Sequence, residues 1–180
     1  MRNFAGKVPV FLCAFFVPLL LFAGQSDSTS LQPGAIEVGV TGSLTAIEGN
    51  ANATVSIRTG TFFTLSTGLA GIDLEIGYSH VKSLNLLDAQ SNLSWQIKFA
   101  RSPVYPFIAV GGGLRQEWLG SFQQIRYPVG LSLGLRILLS QSAGIRFEYR
   151  FRRIFHDPVS DFTEQKLILG VSLFLKNKTL

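Results

Sequence analysis

The chain has 180 residues, enough for one domain of ordinary size, and it is 47% hydrophobic with a mean hydropathy of +0.31. Its 16 basic and 11 acidic residues give a formal charge of +5 without forming a basic tract, which argues against nucleic-acid binding. The single cysteine, Cys13, excludes an internal disulfide and a thiolate metal site.

A short apolar leader opens the sequence. Arg2 and Lys7 flank the start of an apolar stretch at 8–23, which two prolines interrupt and which is short for a membrane-spanning helix. We therefore predict a secretory signal peptide at residues 1–26, and an N-terminal membrane anchor is the alternative. Residues 27–33 then form a polar, turn-rich lead-in to the rest of the chain.

Period-two alternation dominates the sequence after the lead-in. In residues 144–152, large apolar side chains at odd positions alternate with charged side chains at even positions, apart from the initial glycine. This is the pattern of a β-strand with two chemically different faces. Eight strands joined in sequence predict an up-and-down antiparallel meander. We predict these strands at residues 35–44, 54–63, 71–80, 92–100, 105–118, 126–138, 144–152 and 166–175.

The predicted connections alternate in length. Those after the second, fourth and sixth strands are tight, whereas residues 81–90, 119–122 and 156–161 form longer loops. Short turns at one end and longer loops at the other are typical of transmembrane barrels. The first hairpin, around residues 48–52, is the exception because it is short on the side where the loops are long.

The positions of the glycines indicate which face of the strands is enclosed. Glycine weakens a strand, so its concentration on the polar face needs a cause. A narrow eight-stranded barrel supplies one, because long interior side chains fit only where small residues lie opposite. Only Gly42 and Gly112 fall on the apolar face. The polar face carries Gly39, Gly60, Gly77, Gly111, Gly113, Gly130, Gly134 and Gly170.

The charged side chains agree with a polar interior. Buried charge is tolerated only when it is paired, and arginine pairs well with carboxylates. Within 144–152 three arginines face a single glutamate, so acids from other strands must complete the set. We predict a lumen charge network of Glu37, Arg58, Asp73, Glu75, Lys98, Arg115, Arg136, Arg146, Glu148, Arg150, Arg152 and Lys166.

The apolar face then faces lipid. It has essentially no charge in the middle of the strands, as a lipid-facing surface requires. A soluble, lipocalin-like barrel is the alternative, in which the apolar face lines a ligand cavity and the charges face water. Aromatic girdles belong near strand ends in a membrane barrel. The residues predicted for them are Tyr78, Trp95, Phe99, Tyr105, Trp118, Tyr149 and Phe151.

This pattern resembles the small outer-membrane β-barrel families, the OmpA-type transmembrane domains and the opacity-type barrels. Its most specific part is the last strand, where Gly170, Leu173 and Leu175 resemble the signal that these proteins present to the barrel assembly machinery. Family members often end at an aromatic residue, whereas this chain continues to residue 180. Residues 105–113, a proline-aromatic entry followed by glycines, resemble the family's fifth strand.

The resemblance implies an all-β fold, an eight-stranded antiparallel up-and-down transmembrane barrel at residues 34–176 with a short tail at 177–180. It also implies a bacterial outer-membrane location, with membrane lipid and the barrel assembly machinery as partners. These motifs identify a fold and a location rather than an activity. We expect a non-enzymatic structural or surface-interaction role, with residues 81–90 and 156–161 as the main free surface and a surface ligand of unknown identity.

Two other functions stay open at this point. One is a narrow pore, although a paired lumen would block it. The other is a lipid A deacylase, an eight-stranded barrel enzyme with a catalytic histidine followed two residues later by serine. Here His156 precedes Asp-Pro, Ser160 lies too far along the loop, and the neighbours Ser79 and His80 face opposite ways. We predict no catalytic, cofactor or metal residues, and we interpret Asp73 and Glu75 as counterions.

Overall fold

The structure, a computed structural model, describes residues 30–47, 50–81, 83–99, 102–155 and 161–175. These residues form eight antiparallel strands that close into one barrel, in which each strand pairs with its sequence neighbours and the last pairs with the first. The predicted fold class is therefore confirmed. The strands are β1 (Ile36–Ile47), β2 (Asn50–Leu65), β3 (Gly68–Val81), β4 (Leu84–Gln96), β5 (Val104–Leu119), β6 (Phe122–Leu138), β7 (Ala143–Phe155) and β8 (Phe162–Leu175).

No helix in the described ranges is long and apolar enough to span a membrane. The predicted signal peptide at 1–26 and the predicted tail at 177–180 lie outside those ranges.

The connections between strands do not follow the predicted alternation in length. We call the end of the barrel where β1 begins and β8 ends the terminal end, and the opposite end the hairpin end. At the hairpin end, only residues 82–83 separate β3 from β4, and only Gly120 and Ser121 separate β5 from β6. Gly120 has a φ of 62°, the left-handed conformation that glycine adopts readily in a tight turn. The longest connection, 97–103, lies at the terminal end, where tight turns were predicted.

Strand β4 starts earlier than the sequence pattern indicates. The predicted loop at 81–90 is wrong, because Leu84 to Gln90 pair in register with β3, including His80 opposite Asn85. The period-two signal is weak there, since Leu86 and Leu87 are adjacent and the outward-facing Ala89 is small. Backbone pairing with β3 decides the structure where the side-chain pattern does not.

The outer surface of the barrel is apolar. Phe147 and Phe151 are each 44% exposed, whereas Arg146 and Arg150, which directly precede them in the sequence, are 1% and 2% exposed. Exposed large apolar side chains are found on all eight strands. Such a continuous surface requires lipid around it. The lipocalin-like alternative is therefore wrong, because it needs the apolar side chains inside.

Glycine placement follows from the width of the lumen. A Cβ atom at Gly39 would lie 2.7 Å from Ser172 Oγ, and one at Gly60 would lie 2.7 Å from Asp73 Cβ. A Cβ atom at Gly42, which faces outward, would have no atom within 4 Å. Close approach inside the barrel is therefore the reason for glycine on the polar face.

This difference predicts opposite outcomes for two glycine substitutions. Gly60→Leu should lower the free energy of unfolding by about 3 kcal/mol, because the new side chain overpacks the lumen against Asp73. Gly42→Leu should leave the free energy of unfolding unchanged or raise it by up to about 1 kcal/mol. The new side chain would extend into lipid without meeting protein atoms, and replacing glycine in a strand is favourable. Urea unfolding in lipid vesicles measures both, and equal losses in the two variants would contradict the assignment of faces.

Candidate functional site

The charged lumen is the candidate functional site. Among the described residues it contains eight cationic and seven anionic side chains, most of them nearly inaccessible to solvent. The near balance of charge is what burial of so many ions requires. The cations are Arg58, Arg115, Arg126, Arg136, Arg146, Arg150, Arg152 and Lys166, and the anions are Glu37, Asp73, Glu75, Asp88, Glu117, Glu148 and Glu164.

The structure places eleven of the twelve predicted network residues in this lumen. The exception is Lys98, which follows the end of β4 and is exposed, so its predicted place in the network is wrong. The predicted fourth strand runs to residue 100, whereas β4 ends at Gln96, so the alternation of faces does not extend to Lys98.

Sequence reasoning missed four members of the network. Asp88 fell in the predicted loop, and Glu164 preceded the predicted start of the last strand. Glu117 and Arg126 share the parity of the polar face near the ends of predicted strands, so extending the parity count to those ends would have found them. Their omission left the predicted lumen short of acid.

Glu148 is the centre of the first group of ion pairs. Its carboxylate accepts hydrogen bonds from Arg150 Nε at 2.8 Å, Arg146 Nε at 2.9 Å and Arg58 Nη1 at 3.3 Å. Glu75 accepts from Arg58 and, at 2.9 Å, from Arg150 Nη2. Three cations thus face three anions. We call this group the middle cluster, and it consists of Arg58, Asp73, Glu75, Arg146, Glu148 and Arg150.

A second group lies nearer the hairpin end. Arg115 donates to both oxygens of Asp88, from Nε at 2.8 Å and from Nη2 at 3.0 Å. Arg115 Nη2 also donates to Glu164 at 2.7 Å, and Lys166 Nζ donates to Asp88 at 3.1 Å. We call this group the hairpin-side cluster, and it consists of Asp88, Arg115, Arg152, Glu164 and Lys166.

The two clusters form one network that crosses the lumen. Gln90 joins them, since its Nε2 donates to Glu75 at 3.1 Å and its Oε1 accepts from Arg152 Nη1 at 2.9 Å. Arg150 of β7 reaches Glu75 of β3, four strands away around the ring. Side chains from opposite walls of the barrel therefore meet across the lumen.

The terminal end is closed by apolar side chains. Leu31 N donates to Tyr105 Oη at 2.9 Å, and Gly34 N donates to the Phe62 carbonyl at 2.7 Å, so residues 31–34 are held at the mouth of the barrel. The Phe62 and Phe174 ring centroids are 6.2 Å apart. We call this group the terminal seal, and it consists of Leu31, Ala35, Phe62, Leu69, Tyr105, Leu138 and Phe174.

Arg136 connects the terminal seal to the charge network. Its guanidinium carbon lies 4.7 Å from the Phe62 ring centroid, within range of a cation–π contact. Its Nη2 donates to Glu37 at 2.7 Å, and Glu37 also accepts from Ser172 Oγ at 2.6 Å. Arg136 therefore contacts both the terminal seal and the charged side chains of the lumen.

Tyr105 corrects the predicted aromatic girdle. The sequence placed it on the outer surface, but the side chain is 1% exposed and points into the terminal seal. Its position near a strand end suggested an interfacial role. Residue 105, however, lies an odd number of positions from the outward-facing Ile108 and Val110, so it faces inward.

Of the two histidines, only His80 lies in the described part of the chain, and it contacts an asparagine there. His80 faces outward, with Nδ1 2.8 Å from Asn85 Oδ1, whereas Ser79 faces the lumen and accepts from Asn52 Nδ2 at 3.3 Å. His156 and Ser160 lie outside the described residues. In the same ranges, no group of three or more His, Cys, Asp or Glu side chains could hold a metal ion.

The residues of the predicted assembly signal lie on β8. Leu173 and Leu175 face outward and are exposed, and Gly170 faces inward against Thr41 of β1. Their recognition by the assembly machinery stays a prediction.

The closed barrel, apolar outer surface and charged lumen together define a transmembrane β-barrel of the kind that bacterial outer membranes contain. A scan against protein-family models finds no match, and a search of curated proteins finds none either.

Three solved structures that share this fold are compared with the chain. Neisserial surface protein A is 14% identical with a TM-score of 0.56, over 77% of this chain and 95% of that one. The N-terminal β-barrel domain of Pseudomonas aeruginosa OprF is 14% identical with a TM-score of 0.55, over 79% and 98%. The outer membrane enzyme PagL is 14% identical with a TM-score of 0.52, over 76% and 97%. At these identities the likeness shows the fold alone.

The middle cluster generates a stability prediction. Glu148→Gln should lower the free energy of unfolding by about 3–5 kcal/mol, because three buried arginines lose a shared counterion. Arg153→Gln is the matched control, since its pair with Asp161 is exposed and should contribute no more than about 1 kcal/mol. Equilibrium urea unfolding in vesicles gives both values, and a Glu148→Gln barrel as stable as the native one would show that the cluster does not stabilise the fold.

Proposed function

We propose that this protein is a non-conducting barrel of a bacterial outer membrane, with a structural or surface-interaction role and no enzymatic activity. The observation that carries this proposal is the double closure of the barrel. Ion pairs cross the lumen from β7 to β3, and the terminal seal fills the mouth at the terminal end.

Physical reasoning supports the absence of conduction. An eight-stranded barrel is just wide enough for its own side chains. An ion that moved along the axis would have to separate buried pairs such as Arg115 and Asp88, and each unpaired buried charge costs several kcal/mol. It would then meet apolar side chains around Leu31 and Phe62, which offer no ligands for an ion.

Two segments were expected to provide the surface for interaction; the structure contradicts the first, 81–90, and residues 156–160 of the second lie outside the described ranges. Residues 81–90 belong mostly to the β3–β4 hairpin, so they provide no long loop. The tip of the β5–β6 hairpin carries two apolar side chains, Leu119 and Phe122, which are 50% and 59% exposed. Apolar side chains exposed at a hairpin tip support a role in contact with other envelope components.

Planar-bilayer recording tests the proposal. Refolded protein, shown to be in the barrel state by heat-modifiable gel migration, should give no steady current. A steady, ion-selective current from that same preparation would contradict the proposal and favour the narrow pore.

The enzymatic alternative needs its own assay, because PagL, which has the same fold, is an enzyme. The refolded barrel incubated with lipid A should release no fatty acid, because the hydrogen bonds of His80 join it to Asn85 and not to a serine. Mass spectrometry of the lipid gives the result, and time-dependent deacylation would replace the proposal with a hydrolase.

A further inference from the structure

A groove of about 570 Å³ lies on the outer face of the barrel across β2, β3 and β4. Its apolar lining includes Val55, Ile57, Ile76 and Leu87, together with the small side chain of Ala53. Gly42 of β1, which lies opposite Val55, has no side chain. The groove is part of the surface that faces lipid, and its volume lies within the range of small-molecule sites.

Polar groups stand at one end of this groove. Tyr78 Oη donates to Asn85 Oδ1 at 2.8 Å, and His80 Nδ1 lies 2.8 Å from the same oxygen. Tyr78 and His80 both line the groove, and Asn85 pairs directly with His80 across the β3–β4 ladder. These residues are close to the hairpin end, where the apolar part of a bilayer gives way to its headgroups.

The shared oxygen determines what His80 offers to a ligand. An amide oxygen only accepts hydrogen bonds, so His80 Nδ1 carries the proton in this contact. In the imidazole tautomer with the proton on Nδ1, Nε2 is the ring nitrogen that accepts a hydrogen bond. A headgroup with an N–H or O–H donor would satisfy this nitrogen, whereas a headgroup without such a donor would not.

We propose that the groove is a binding site for one membrane lipid with a hydrogen-bond donor in its headgroup. One acyl chain lies along the apolar lining, and the headgroup donates to His80 Nε2. Tyr78 and Asn85 act as positioning residues that fix the orientation of the imidazole ring. The inference rests on the proposed function, since it requires a barrel embedded in a bilayer.

Two lipids with the same acyl chains provide the test. Dioleoyl phosphatidylethanolamine has N–H donors in its headgroup, and dioleoyl phosphatidylcholine has none, although both are zwitterionic. Barrels refolded with an equimolar mixture are released from micelles in native mass spectrometry, and the retained lipid is identified. The native protein should retain phosphatidylethanolamine about fivefold over phosphatidylcholine, the ratio expected for one net hydrogen bond.

Three variants separate the headgroup from the acyl chain. His80→Phe should abolish the preference between the two lipids while leaving total retention largely intact. Ala53→Phe should lower retention of both lipids, because the new ring fills the groove without entering the lumen. Val110→Phe, at an outward-facing position of β5, is the control and should behave as the native protein does.

The outcomes distinguish this site from the barrel function. A folded, non-conducting native barrel that retains the two lipids equally overturns the lipid site alone, and so does a preference that persists in His80→Phe. A preparation that stays monomeric and water-soluble without lipid or detergent overturns both.

Discussion

The constraint on which this structure depends is the need to pair charge inside a lumen that is just wide enough for its own side chains. Water cannot solvate ions there as it does at a surface, so every guanidinium needs a carboxylate within reach. The middle cluster meets this condition with three ions of each sign, and Glu148 contacts all three of its arginines. The hairpin-side cluster has one more cation than it has anions. Gln90 links its Arg152 to Glu75 of the middle cluster.

The rest of the barrel is arranged around those pairs. Glycine is required where a neighbouring strand or a long side chain comes close, as at Gly60 beside Asp73. Outward positions are free of this constraint and carry the apolar groups that lipid requires. At the terminal end the charges stop at Arg136, whose guanidinium lies over the ring of Phe62, and apolar packing closes the mouth. The functional proposal rests on this packing, since ion pairs that meet across the lumen would have to separate before an ion could pass.

Period-two alternation was enough to predict eight strands and their two faces, because a barrel with lipid outside and charge inside alternates on every strand. It failed where the alternation is weak. Leu86 and Leu87 stand side by side, so the start of β4 was predicted as a loop and Asp88 was missed. Strand ends also misled the prediction, since Lys98 lies beyond β4 and Tyr105 points inward. The terminal seal could not be predicted from strands at all, because the lead-in contributes Leu31 through contacts with residues far along the chain.

The central claim is that the apolar face of every strand contacts lipid. It is tested most directly by spin labels at one outward-facing position on each strand, in a Cys13→Ser background, with the barrel in lipid vesicles. The account predicts that all eight labels are relaxed by oxygen, which dissolves in lipid, and are shielded from a water-soluble nickel complex. Labels that are accessible to the nickel complex around the ring, or that are hidden from both reagents, would contradict it. The labelled positions are Val40, Ile57, Ile76, Leu93, Val110, Leu131, Phe147 and Leu169.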